Sequence, residues 1–146
     1  MLRLSNRLLG LLLRSPLHRM MSGSLMLLTF TGRRSGRRLT TPVQYVRRGN
    51  DVLVMVGRPE GKQWWRNFRT PAAARLRIRG AVVAATGRLC AGSEDPAEAA
   101  EALGSYLDRF PRAAKALGLP AAPSAADLDR AARAAVFVVF TTDTAP

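Results

Sequence analysis

Four arginines flank a Ser-Gly pair in FTGRRSGRRLTTP, residues 30–42, and that grouping suits one chemistry above others, the holding of an anion. Guanidinium forks match phosphate oxygens, and glycines let backbone N–H groups come close to a negative charge. A turn carrying Arg33, Arg34, Ser35, Gly36, Arg37 and Arg38 is therefore a candidate phosphate cradle. A solvated basic hairpin tip has the same composition, so the segment alone does not decide. It is not a Walker loop, because no G-x-x-x-x-G-K-[ST] is present and the next element reads as a strand.

Other chemistry is thinly supplied. The single histidine, His18, and single cysteine, Cys90, leave no His cluster, Cys-based zinc site or internal disulfide, and no metal site is expected. Cys90 reads as core filling in a protein of a reducing cytoplasm. The chain has 146 residues and a net charge of +13, and nearly all of that charge lies in its first half. No Asp or Glu precedes Asp51. Such asymmetry fits an anionic partner, whether a phosphorylated ligand, a membrane surface or nucleic acid. Arginine supplies 21 of the 23 basic residues, so codon bias also accounts for part of it.

The elements that must position these residues follow from periodicity. Residues 1–21 form a separate unit, read as an amphipathic helix. Arg3, Arg7 and Arg14 fall within about 40° of one another at helical spacing, against a leucine-rich remainder. The leucine run is too short and too interrupted to span a bilayer, and no signal-peptide cleavage pattern follows it. Lying on a membrane surface and packing on its own domain both remain open.

From residue 22 onward one domain is expected. LMLLTFT (25–31) reads as a buried strand, and LTTPVQYVRR (39–48) as a strand with Pro42 at an edge, bulge or start. A turn at GND then leads into DVLVMVG (51–57). KQWWRNFRT reads as a short helix ending before Pro71. ARLRIRG (74–80) alternates strictly and continues into the strand AVVAATGRLCA (81–91). Asp95, Pro96 and Glu98 mark a helix start with a capping-box-like pattern, and Ser124 with Asp127 marks a second. AVFVVFTT (135–142) closes the series. About six mostly antiparallel strands with peripheral helices give an α+β fold, mainly β, built as a small barrel.

Together these motifs resemble the deazaflavin-dependent nitroreductase family, within the split β-barrel flavin and deazaflavin oxidoreductases. The resemblance rests on Thr31 to Gly36, on Thr40-Thr41-Pro42, and on Trp64-Trp65-Arg66-Asn67-Phe68 before Pro71. It covers residues 26–90 well and the rest in outline. It implies a split barrel and coenzyme F420, with flavin mononucleotide as the alternative cofactor. It further implies that Arg33, Arg34 and Ser35, with Gly36 and Arg37, bind the cofactor's phosphate and acidic tail. Thr41, Pro42, Val56 and Gly57 would line the deazaflavin edge, and Trp64 and Asn67 would close the ring pocket. Three departures stand out. Arg38-Leu39 replaces the family's Pro-Arg step, and GRPEGKQ replaces a Gly-Gly stretch, bringing in Arg58 and Lys62. The substrate-side tyrosines have no clear counterparts.

The expected function is hydride transfer from F420 to a small electrophile such as a quinone, enone or nitro compound. No catalytic residue is assigned, because the cofactor carries the chemistry. The alternatives are a non-catalytic split-barrel protein for lipid, a haem-derived ligand or flavin mononucleotide, and a basic nucleic-acid binder. The lack of a recognised module and the few exposed-type aromatics argue against the last, and no nucleic-acid partner is expected. A homodimer fits the family, and a cytoplasmic location fits the composition, with residues 1–21 as a peripheral contact at the inner face of the membrane. If they make that contact, the intact chain sediments with anionic vesicles and a chain starting near Ser22 does not. The interaction should weaken in salt, since each basic residue near such a surface contributes about 1 kcal/mol. Equal vesicle binding by both forms sinks the membrane assignment, and a lowered melting temperature of the shorter form points to packing on the barrel instead.

Overall fold

The computed structural model describes residues 24–142. The expected helix over residues 1–21, with His18, lies outside the described residues. Two kinds of strand follow from two kinds of sequence pattern. In β1 (Leu25–Thr31) and β5 (Ala72–Ile78) every second side chain is buried. In β4 (Asp51–Met55) and β7 (Val136–Thr142) consecutive apolar residues are buried. Strands of the first kind have one face in the core, and strands of the second kind are covered on both.

With β2 (Arg38–Gln44), β3 (Val46–Arg48) and β6 (Ala81–Ala91), these strands form one seven-stranded sheet in the order β2-β1-β5-β6-β7-β4-β3. Every neighbouring pair is antiparallel. The sheet is curled, and its two outermost strands are consecutive in the chain. The expected single strand 39–48 is thus corrected to two. It bends at Tyr45, where its first half has finished pairing with β1 and its second half begins pairing with β4. Tyr45 is buried, and its N–H donates to the Ser24 carbonyl oxygen at 3.0 Å. One bent segment therefore serves both edges, and the strands number seven in place of about six. Pro42 sits in β2, opposite Leu27, where a missing N–H is tolerated at the sheet edge.

Inside the curl, Met26, Leu28 and Phe30 meet Val52, Val54, Leu76, Val138, Phe140 and Phe68. On the outer side of β4 and β7, Leu53, Phe137 and Val139 pack with Cys90 against α1 (Pro96–Arg109) and α3 (Ala125–Ala134). A four-residue turn of helix, α2 (Ala113–Ala116), lies between them. Asp95 caps α1 by accepting from the Glu98 N–H, but the box is only half made. The Glu98 carboxylate pairs with Arg88 of β6 at 2.5 Å, joining helix to sheet. The Ser124–Asp127 box is complete. KQWWRNFRT forms a 3₁₀ helix over Trp64–Phe68, preceded by a 3₁₀ turn at Pro59–Gly61, and no α-helix. Among the described residues, no helix is long and apolar enough to cross a membrane.

Phe68 is the residue that seats the 3₁₀ helix. It is fully buried and packs edge-on against Phe140 at 5.2 Å between ring centroids. Gly87 of β6 makes the room, since a Cβ there would lie 2.6 Å from Phe68 Cδ1 and 2.7 Å from Phe140 Cε1. Gly87→Ala should therefore destabilise the fold by roughly 1–3 kcal/mol through overpacking. Gly104→Ala, in the interior of α1 with nothing within 4 Å of the added Cβ, should stabilise by up to about 1 kcal/mol. Denaturant unfolding of both variants checks the pair, and equal effects at the two sites refute the close packing of Phe68 and Phe140 over Gly87.

Candidate functional site

Strand register decides what meets what. Thr31 pairs with Arg38, so the arginine turn of residues 32–37 caps the β1–β2 end of the sheet. Ala72, next to Pro71, lies at the same end, because Phe30 pairs with Ala74. Met55 pairs with Phe137 and Ala91 with Val136, so Val56, Gly57 and the following loop also lie there. The arginine turn, the end of β4, the 56–63 loop and the 3₁₀ helix therefore converge on one end of the barrel.

The turn is locally rigid. The Gly32 N–H donates to the Arg37 carbonyl and the Gly36 N–H to the Gly32 carbonyl, both at 2.8 Å. The Ser35 hydroxyl oxygen accepts from the Arg37 N–H at 3.2 Å, and Gly36 has φ +66°, a conformation that favours glycine. Arg33, Arg34, Arg37 and Arg38 are all exposed. Like charges gathered in this way repel, and exposure to water keeps the repulsion small.

Asn67 ties this turn to the aromatic helix. Its Oδ1 accepts from the Arg33 N–H at 2.7 Å, and its Nδ2 donates to the Trp64 carbonyl at 2.8 Å. Both sides of one carboxamide are engaged, so Asn67 fixes the spacing between the basic turn and Trp64. Sequence reasoning expected it to close the ring pocket. The structure adds a clamp between turn and helix, a connection that no local pattern reveals because the bond spans 34 positions of chain.

The two tryptophans differ. Trp65 is buried in the inner cluster, donates from Nε1 to the Pro59 carbonyl at 2.9 Å, and lies under the guanidiniums of Arg66 and Arg69 at 5.3 and 5.4 Å. Trp64 is half-buried, with Phe30 at 6.5 Å and Phe68 at 6.2 Å. Thr41 faces the barrel interior, being opposite Leu28, whereas Pro42 pairs with Leu27 and shares the outer face. Val56 is buried, its N–H bonded to the Val136 carbonyl at 2.8 Å. Gly57, Arg58 and Lys62 are exposed, and the Lys62 Nζ lies 3.8 Å from where a Gly57 Cβ would stand. Arg58 has φ 52°, an uncommon conformation for a residue with a Cβ.

Cys90 fills the outer core. It is buried between β6 and α1, and burial, with Glu98 adding to it, pushes its thiol up to about 12. Among the described residues no group of three His, Cys, Asp or Glu could hold a metal ion.

A family profile described as F420H(2)-dependent quinone reductase matches residues 14–109. The chain belongs to this family. It is an oxidoreductase that depends on F420, in agreement with the motifs around residues 31–42 and 64–71. No curated protein matches the chain in sequence. Among solved structures, an F420-H2 dependent reductase is similar with 18% identity and a TM-score of 0.57, over 80% of this chain and 93% of that one. A domain-swapped dimer is similar with 14% identity and a TM-score of 0.54, over 88% and 96% respectively. At these identities the likeness shows the split-barrel fold.

The reductase's two tryptophans should separate on mutation. Trp65→Leu removes a buried anchor and should cost about 3 kcal/mol of stability. Trp64→Leu should cost less and mainly weaken F420 binding. Denaturant unfolding beside a fluorescence titration distinguishes the two, and equal destabilisation without loss of binding refutes the assignment of Trp64 to the ring site.

Proposed function

We propose that the reductase passes hydride from F420 to a small electrophile of the quinone type, with enones and nitro compounds as further acceptors. The observation that supports this reading best is the Asn67 clamp, which holds an exposed arginine turn and an aromatic side chain in one rigid unit at one barrel end. A cofactor with a flat ring and an acidic tail needs those two features side by side. The donor set fits: several guanidiniums, a serine hydroxyl and glycine backbone, with no carboxylate in the first 50 residues.

On this reading Arg33, Arg34, Ser35, Gly36 and Arg37 hold the cofactor's phosphate and acidic tail. Thr41, Pro42, Val56 and Gly57 border the ring with Trp64, and Arg58 and Lys62 add positive charge at the mouth. When bound, F420 supplies the hydride. The chain's own part is to orient the ring, to exclude water with Phe30, Trp64 and Val56, and to neutralise negative charge that develops on the acceptor. Arg58 and Lys62, both exposed cations on the 56–63 loop, suit that last task. A homodimer belongs to the same reading, supported by the domain-swapped dimer of the same fold.

Arg33→Ala combined with Arg34→Ala should weaken F420 binding while leaving the melting temperature unchanged, because the turn lies outside both cores. Removing one charge-assisted hydrogen bond costs roughly 1.5–3 kcal/mol, so affinity should fall by at least tenfold, read from absorbance or fluorescence. Flavin mononucleotide serves as the comparison cofactor, and turnover with a benzoquinone tests the acceptor class. Unchanged F420 affinity in the double variant places the tail elsewhere, and tight cofactor binding with no turnover of quinone, enone or nitro acceptors refutes the proposed reaction.

A further inference from the structure

At the opposite end of the barrel lies a cavity of about 490 Å³ lined by residues of three separate elements. Arg47 comes from β3, Arg79 from the turn between β5 and β6, and Ser105, Asp108 and Arg109 from the last turns of α1. Tyr45, where the closing segment bends, forms part of the wall. Three arginines and one acid, Asp108, are thus among its lining residues. The C-terminal end of α1 adds about half a negative charge, which still leaves the cavity positive. Its volume is in the range of small-molecule sites.

Arg79 carries the argument further. Ile78 pairs with Ala81, so Arg79-Gly80 is a two-residue hairpin turn, and both residues have positive φ, 51° and 84°. Such turns strongly prefer Asn, Asp or Gly at the first position. The chain follows that preference in its other two-residue hairpin, where Gly49 has φ +61° between the paired residues Arg48 and Asp51. At residue 79 it places a long cation in an unfavourable conformation, at a residue that lines the cavity. Strain of this kind persists where the side chain does something a glycine could not. Across the cavity, the Arg109 guanidinium is stacked on the Phe110 ring at 5.0 Å, which restricts its movement.

We propose that this cavity is an anion site for a phosphate monoester, separate from the F420 residues. The guanidiniums of Arg47, Arg79 and Arg109 hold the phosphate oxygens, and the Ser105 hydroxyl supplies a further donor. The ester is either a free small molecule or the headgroup of a lipid.

The test is a titration of the full chain with inorganic phosphate, followed by backbone amide NMR shifts. The amides of Arg47, Gly80 and Ser105 report on the cavity, and that of Gly36 reports on the arginine turn. The cavity amides should shift saturably in the wild type. Arg79→Gly, which suits the backbone conformation and should not lower the melting temperature, should weaken that binding at least tenfold. Arg33→Ala with Arg34→Ala should leave it within twofold. A parallel co-sedimentation with phosphatidic acid vesicles, against phosphatidylcholine alone, identifies the source. Vesicle binding lost in Arg79→Gly points to a headgroup, and vesicle binding unaffected by Arg79→Gly, beside saturable phosphate binding, points to a free ester. Cavity amides that do not shift, or that shift equally in Arg79→Gly, overturn the proposal. So does displacement of phosphate from the cavity amides by F420, which would assign the cavity to the cofactor's tail.

Discussion

The bend at Tyr45 is the constraint on which the other parts depend. Residues 38–48 must supply both edges of one sheet, and an extended segment can do so only if it turns where one partner ends and the next begins. The buried ring of Tyr45 and its N–H bond to Ser24 hold that point. Closure then brings the β1–β2 turn and the end of β4 to the same end of the barrel, although the bent segment and a hairpin separate them in the chain. Without the bend, β2 would lie at one edge of an open sheet and β4 near the other.

Closure also explains the two apolar codes in the sequence. Strands β4 and β7 sit where the inner cluster and the helix layer meet, so Val52, Val54, Val138 and Phe140 point inward while Leu53, Phe137 and Val139 point to the helices. On β5 the outer positions hold Arg75 and Arg77, which no helix covers and which are exposed. The charged face of β5 and the continuous apolar run of β7 thus mark the uncovered and covered parts of one curved surface.

Much of this was legible from residue order. The apolar runs at 51–57 and 135–142 and the Ser124–Asp127 box each depend on neighbours within a few positions and appear in the structure as strands and a cap. The alternation in 74–80 holds as far as Ile78, where a turn at Arg79-Gly80 replaces the continuous run into 81–91. The readings that needed correction depend on distant partners. Nothing in LTTPVQYVRR reveals that its halves pair with different strands. WWRNF takes the 3₁₀ form with Phe68 packed over Gly87, and the Glu98 side chain pairs with Arg88 of β6 in place of completing its capping box. For the candidate site, the Thr-Gly-Arg-Arg-Ser-Gly turn and the Trp-Trp-x-Asn pattern were visible as types. Their connection through Asn67 was not. Arg79 gave no signal at all, because within ARLRIRG it reads as one more outward arginine, and only its φ and its cavity set it apart.

The two ends of the barrel treat arginine differently, and the contrast has physical content. At the end that carries the arginine turn, the guanidiniums lie on an exposed turn whose backbone is held by its own hydrogen bonds and by Asn67. An anion can arrive there without moving the core. At the other end, Arg47, Arg79 and Arg109 surround a cavity, and one of them stands where the backbone favours glycine. Arg47, Arg79, Arg109 and Asp108 are exposed like the arginines of the turn, so the difference between the two ends is one of shape, a concave wall against a convex tip. Arginine abundance alone would scatter such residues over solvated faces, as on Arg75 and Arg77 of β5. Their convergence from three elements on one cavity is a property of the fold.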